Sequence, residues 1–249
     1  MSVQQLAGTT AIVTGASRGF GRSTARALVG AGVRVVGVAR DGDALEELRT
    51  ELGDGFVPEP ADAADPSVAG RLIDAYEPRT LVLNAGTTPV LAPLQEQSWD
   101  TFRAAWETDV RQAFHWVRES LLRPLPSGST VLSFSSGAAV NGSPLSGGYA
   151  GAKATVRFVS AYAADESARQ SLGIRYVSVL PKLTPATGLG SGAVAAYAAL
   201  QGVDVPTFLS GFGPTLTPEL VAATVLDLVG DAGWEDLAYL LTPGGLKPL

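Results

Sequence analysis

The chain has 249 residues, 46% of them hydrophobic and 17% charged, with no cysteine, one histidine and a formal net charge of -6 at pH 7. This is the composition of a globular chain long enough for one large core, and it excludes disulfides, thiolate metal sites and a cysteine nucleophile. The acidic balance argues against nucleic-acid and anionic-membrane partners, and a lone His115 leaves too few ligands for a zinc site, so no metal is expected.

The opening, MSVQQLAGTTAIV, lacks a basic segment ahead of an apolar run, so no secretory leader is expected. The weakly charged stretch 186–213 is broken by Gly and Pro and does not read as a membrane span. A cytoplasmic protein is the expectation. Short β-branched runs predict strands at 10–14, 33–39, 56–60, 80–83, 130–134, 174–180 and 238–241. Between them, helical patterning covers 20–31, 43–52, 67–75, 99–122, 148–172 and 218–229. Ser98 and Thr217 stand where caps belong, with Pro218 at a first helical position and Pro124 beyond a helix end. Alternation of this kind predicts an α/β fold, a doubly wound parallel sheet with helices on both faces. No repeat or linker divides it, so residues 1–249 read as one domain.

The first strand runs into Thr14-Gly15-Ala16-Ser17-Arg18-Gly19-Phe20-Gly21, where a helix begins. Glycines at such a turn admit tight geometry and close approach of a phosphate, and the helix start offers free N–H groups to it. The spacing is G-x-x-x-G-x-G rather than G-x-G-x-x-G. A glycine-rich turn without a ligand is the bland alternative, and the position in the first βα turn favours the nucleotide.

Further along stand Ser136 in V-L-S-F-S-S, Asn84-Ala85-Gly86, and Tyr149-Ala-Gly-Ala-Lys153. Tyr149 and Lys153 lie four apart on a predicted helix and share a face. A free tyrosine, with a pKa of ~10, is a poor base near neutrality, and an adjacent ammonium lowers that value. Alone, the pair would be an ordinary helix-surface contact.

Taken together in this order and spacing, these motifs resemble the short-chain dehydrogenase/reductase family over essentially the whole chain. The resemblance implies a Rossmann-like sheet of about seven strands and a nicotinamide cofactor. Thr242-Pro243-Gly244-Gly245 resembles the turn after the family's last strand. The family likeness also implies catalysis by Ser136, Tyr149 and Lys153, the lysine holding the nicotinamide ribose as well. It assigns cofactor contacts to Gly15, Ser17, Arg18, Gly19, Phe20 and Gly21, to Asp62 and Ala63 beside the adenine, to Asn84, Ala85 and Gly86, and to Pro181 and Thr184. Asp109 stands where the family has the asparagine of its catalytic tetrad, and Lys182 follows Pro181 where a glycine is usual. The segment of about 182–216 would cover the substrate, as a mobile apolar lid or as a packed helical excursion. Helices 99–122 and 148–172 would pair between copies in a homotetramer or homodimer.

The second predicted strand ends Val38-Ala39-Arg40, with Ala39 where an NAD-preferring relative carries an acid for the ribose 2′-hydroxyl. Arg40 and Arg18 then suit a 2′-phosphate, so NADP(H) is the expected cofactor. Two solvated surface arginines are the alternative. The expectation is an NADPH-dependent oxidoreductase moving hydride between nicotinamide and a carbonyl or alcohol substrate, with Tyr149 as acid/base. Imine reduction on the same fold is one rival. A non-catalytic NADP(H)-binding sensor, suggested by Asp109 and Lys182, is another.

Overall fold

The computed structural model describes residues 6–231 and 233–249. The first five residues of the opening read for a leader lie outside them. Strands β1 (Thr10–Thr14), β2 (Arg34–Ala39), β3 (Phe56–Pro60), β4 (Thr80–Leu83), β5 (Thr130–Phe134), β6 (Arg175–Pro181), β7 (Ala238–Thr242) and β8 (Gly245–Pro248) form one sheet. Its order is β3-β2-β1-β4-β5-β6-β7-β8. The seven expected strands pair in parallel, which makes the fold Rossmann-like and doubly wound.

Strands such as TLVL at β4 and TVLSF at β5 are buried along their whole length, as apolar runs covered on both faces must be. On one face pack α1 (Gly19–Gly30), α2 (Gly42–Leu52) and α10 (Pro218–Gly230), burying Leu28, Leu45 and Val225. The other face carries α3 (Pro66–Tyr76), α5 (Arg111–Leu122) and α7 (Gly147–Arg169), with Leu72, Trp116 and Ala163 inside. Winding reverses between β1 and β4, which opens a crevice beyond their C-terminal ends.

The caps formed as expected: Thr217 accepts from the Leu220 N–H at 3.2 Å, and Ser98 with Thr101 builds a capping box. Two things differ from the sequence expectation. The helix expected over 99–122 is two helices, α4 (Trp99–Ala105) and α5, joined by a π turn at Trp106–Val110. Such a turn inserts a residue and shifts the helical face without ending the helical path, so the stretch reads as one helix in the sequence. Second, the turn Thr242-Pro243-Gly244-Gly245 closes a hairpin rather than ending the sheet. Thr242 pairs with Gly245, whose φ of +104° suits glycine, and the chain continues into an eighth strand antiparallel to β7. The segment of about 182–216, read as either a mobile lid or a packed helical excursion, contains two helices, α8 (Gly188–Leu200) and α9 (Val205–Ser210), with Tyr197 and Phe208 stacked at 6.4 Å. A short helix α6 (Ala138–Asn141) follows β5.

Candidate active site

A cavity of about 990 Å³ opens at the C-terminal ends of the central strands. It brings together every sequence-predicted site residue except Gly21. At Gly15, φ is +68° and an added Cβ would lie 2.8 Å from the Ala85 Cα, so the loop passes too close to the β4 end for any side chain. Gly21 serves packing instead: its Cβ would fall 2.2 Å from the Gly15 carbonyl oxygen.

The loop is sewn to the neighbouring strand end. Thr14 Oγ1 accepts the N–H groups of Asn84 and Ala85 at 3.0 and 3.1 Å, while Asn84 Nδ2 donates to the carbonyls of Thr14 and Gly15 at 3.1 and 3.2 Å. Gln112, which no motif flagged, joins this network from α5: it accepts from the Thr14 hydroxyl and donates to the Ala85 carbonyl at 2.8 Å. Its only sequence signal is a polar residue on a buried helix face, which is too common to single out.

Arg18 caps α1 with no side-chain hydrogen bond to the helix start, which leaves the first-turn N–H groups for a ligand. Arg18 and Arg40 are exposed at the cavity, and neither has an ion-pair partner among the described residues. Asp62 turns its carboxylate to the Ala64 N–H at 2.9 Å, and the Ala63 carbonyl accepts from the Trp116 indole at 3.0 Å. Thr184 is buried and donates to the Leu216 carbonyl.

Lys153 is buried on α7, and its ammonium lies 5.7 Å from the centroid of the Tyr149 ring. It donates to the Phe134 carbonyl at 3.0 Å and faces Asp109 Oδ2 at 2.9 Å. Asp109, placed by the π turn, is 1% exposed, and its Oδ1 accepts the Thr87 N–H at 2.8 Å. Ser136 sits on the loop after β5 and accepts the Ala138 N–H at 3.2 Å. Burial pushes the half-buried Tyr149 phenol above its ordinary value and Asp109 adds to the rise, whereas Lys153 and the Ser136 hydroxyl oppose it. For Lys153, burial pulls downward, but Asp109 and Tyr149 together hold the ammonium above its usual range.

The remaining wall combines Lys182, exposed at the rim, with Ser143, Ser146 and Tyr197. Ser143 lies 2.6 Å from the Ser146 hydroxyl and is hydrogen-bonded to that of Tyr197, which ties α8 to the loop before α7. His115 is half-buried on α5 and outside the cavity lining. Trp116 is core, whereas Trp99 and Trp106 are exposed. Among the described residues no cluster of three or more His, Cys, Asp or Glu could hold a metal, and no helix is long and apolar enough to cross a membrane.

A doubly wound sheet with a ligand-sized cavity at its switch point, lined by this glycine loop, defines a Rossmann-like nucleotide-binding fold. Over residues 9–196 the chain matches the family model described as short chain dehydrogenase. It belongs to that family of nicotinamide-dependent oxidoreductases. A probable NADP-dependent dehydrogenase of Dichelobacter nodosus is 43% identical over 93 residues, covering 34% of this chain and 85% of the relative. Human L-xylulose reductase is 34% identical over 106 residues, 43% of each chain. Several of the relatives it matches are thus spanned over less than two thirds of their length. In fold, the chain is similar to a 3-ketoacyl-(acyl-carrier-protein) reductase from Brucella melitensis complexed with NADH, with a TM-score of 0.74, 23% identity and coverage of 91% and 92%.

Proposed function

We propose that this protein is an NADPH-dependent carbonyl reductase, or the corresponding alcohol dehydrogenase in reverse, with Tyr149 as the acid/base. The observation that carries this reading is the convergence of Tyr149, Lys153 and Ser136 on one cavity, with the ammonium 5.7 Å from the phenol ring. The glycine loop, the uncapped start of α1, Asp62, Ala63 and the 84–86 strand end suit the dinucleotide; Pro181 and Thr184 suit its nicotinamide end. Arg18 and Arg40, both without ion-pair partners among the described residues, suit a 2′-phosphate. When bound, the nicotinamide supplies or accepts hydride. Tyr149 donates its proton to the substrate oxygen in reduction and recovers one from solvent, and Ser136 hydrogen-bonds that oxygen as charge develops on it. The names of the dehydrogenase and the xylulose reductase above agree with the cofactor and the reaction class.

The exposed Trp106, Phe114, Phe158 and Tyr162 support pairing of the π turn, α5 and α7 with a second copy, as a homodimer or homotetramer. A monomeric mass by light scattering would refute it. A cytoplasmic location remains part of the proposal. The rival reading, a non-catalytic NADP(H)-binding sensor, draws on the Asp109–Lys153 ion pair, which offsets the charge that activates Tyr149. A panel of ketones, aldehydes and imines, followed by nicotinamide absorbance with NADPH and NADH, separates the readings. Oxidation of NADPH by a ketone or aldehyde, faster than that of NADH, is expected. Tight NADPH binding without turnover across the panel would install the sensor, and turnover of imines alone would install the imine reductase.

A further inference from the structure

We infer that Asp109 is a positioning residue that holds Tyr149 as a proton donor, which builds the site for carbonyl reduction more than for alcohol oxidation. The inference rests on the acid/base role proposed for Tyr149. Its basis is geometric. The Lys153 ammonium has one side on the Phe134 carbonyl at 3.0 Å and another on Asp109 Oδ2 at 2.9 Å.

The carboxylate has little freedom to leave. Its other oxygen is fixed by the Thr87 N–H at 2.8 Å, and it packs so tightly on Gly86 that an added Cβ there would lie 2.9 Å from Oδ2. The π turn at Trp106–Val110 brings it to this place. Asp109 and Lys153 are 1% and 7% exposed at their side chains, so solvent screens the pair weakly.

The groups acting on the Tyr149 hydroxyl can be named. From its own helix comes Lys153, from the π turn Asp109, and from the loop after β5 the neutral Ser136 hydroxyl. Lys182 lines the same cavity from beyond β6, but it is exposed and its charge is screened by water. A neutral residue at 109 would leave the ammonium charge unopposed and stabilise tyrosinate. The carboxylate cancels much of that charge, so the phenol keeps its proton to higher pH. Reduction needs the protonated phenol and oxidation needs tyrosinate. Retaining the proton therefore extends reduction into alkaline conditions and delays oxidation.

The test compares wild type with Asp109→Asn in two ways. In the cofactor-free protein, tyrosinate absorbance is titrated with pH, and Tyr149→Phe subtracts the other tyrosines. In the holoenzyme, pH–rate profiles are recorded in both directions. The Tyr149 midpoint should fall by about one pH unit in Asp109→Asn, the smaller end of the effect of a neighbouring charge. The falling limb of reduction and the rising limb of oxidation should move with it to lower pH. Asp109→Glu, which keeps the charge, should stay near wild type; if Asp109→Asn does not fold, Asp109→Ser carries the same expectation. An unchanged or raised midpoint in the neutral variant would overturn the inference and leave the proposed function standing. Absence of turnover by wild type would instead overturn that function, and the titration would still decide the role of Asp109.

Discussion

The two walls of the cavity are built differently. On the side proposed to hold the cofactor, the glycine loop, the β4 end and α5 are joined by side-chain hydrogen bonds running through Thr14, Asn84 and Gln112. Across the cavity, α8 begins GLGSG, and at Gly188 and Gly192 an added Cβ would meet nothing within 4 Å. This wall is tied down through Thr184, the Ser143–Tyr197 hydrogen bond, the stacked Tyr197–Phe208 rings and the tilted Phe208–Phe212 contact. Each construction suits its task. A phosphate cradle must be preformed, because its donors gain only by being fixed in place. A wall that admits the substrate can be repacked or moved without disturbing it.

Substitutions on the two walls should therefore fail in different ways. The largest effect is expected at the centre between them: Tyr149→Phe should lower turnover by ~10²–10⁴-fold while NADPH affinity, measured by fluorescence titration, is unchanged. Retention of more than about a tenth of wild-type turnover would remove Tyr149 from the acid/base role. On the cofactor wall, Arg40→Asp should weaken NADPH about tenfold or more and leave NADH affinity equal or better, since a charge-assisted bond contributes ~1.5–3 kcal/mol. Equal NADPH affinity in the two proteins would place Arg40 away from the phosphate. The smallest effect belongs to the far wall. Lys182→Gly should raise KM for a carboxylate-bearing carbonyl by about fivefold at most, as for an exposed charge pair of ~1 kcal/mol. KM for a neutral carbonyl should stay the same. A fall in kcat for both substrates would show that Lys182 acts on the chemistry rather than at the rim.

The two walls also differ in how far the sequence revealed them. The glycine loop and the Tyr149–Lys153 pair were legible because each depends on local rules, a βα turn and a helical i,i+4 spacing. Asp109 was visible as an unexpected residue, but its burial was not, because the residue a π turn inserts shifts the helical face at a point that no sequence pattern marks. Gln112 carries no motif at all. The eighth strand, Gly-Leu-Lys-Pro, is too short and too poor in β-branched residues to stand out. In the segment of about 182–216, Ala and Gly give little contrast between buried and exposed faces, so a lid and the helical excursion of α8 and α9 read alike in the sequence.

Both walls matter only if this cavity moves hydride between NADPH and a carbonyl carbon. That transfer is tested by supplying wild-type protein with NADPH deuterated at the ring position that gives up hydride, together with a ketone that turns over in the panel. Mass spectrometry of the alcohol reads the outcome. Deuterium is expected on the former carbonyl carbon, and the labelled product should disappear when Tyr149→Phe replaces wild type. Alcohol formed without the label, or NADPH bound and recovered intact with every carbonyl offered, would contradict the proposed reaction.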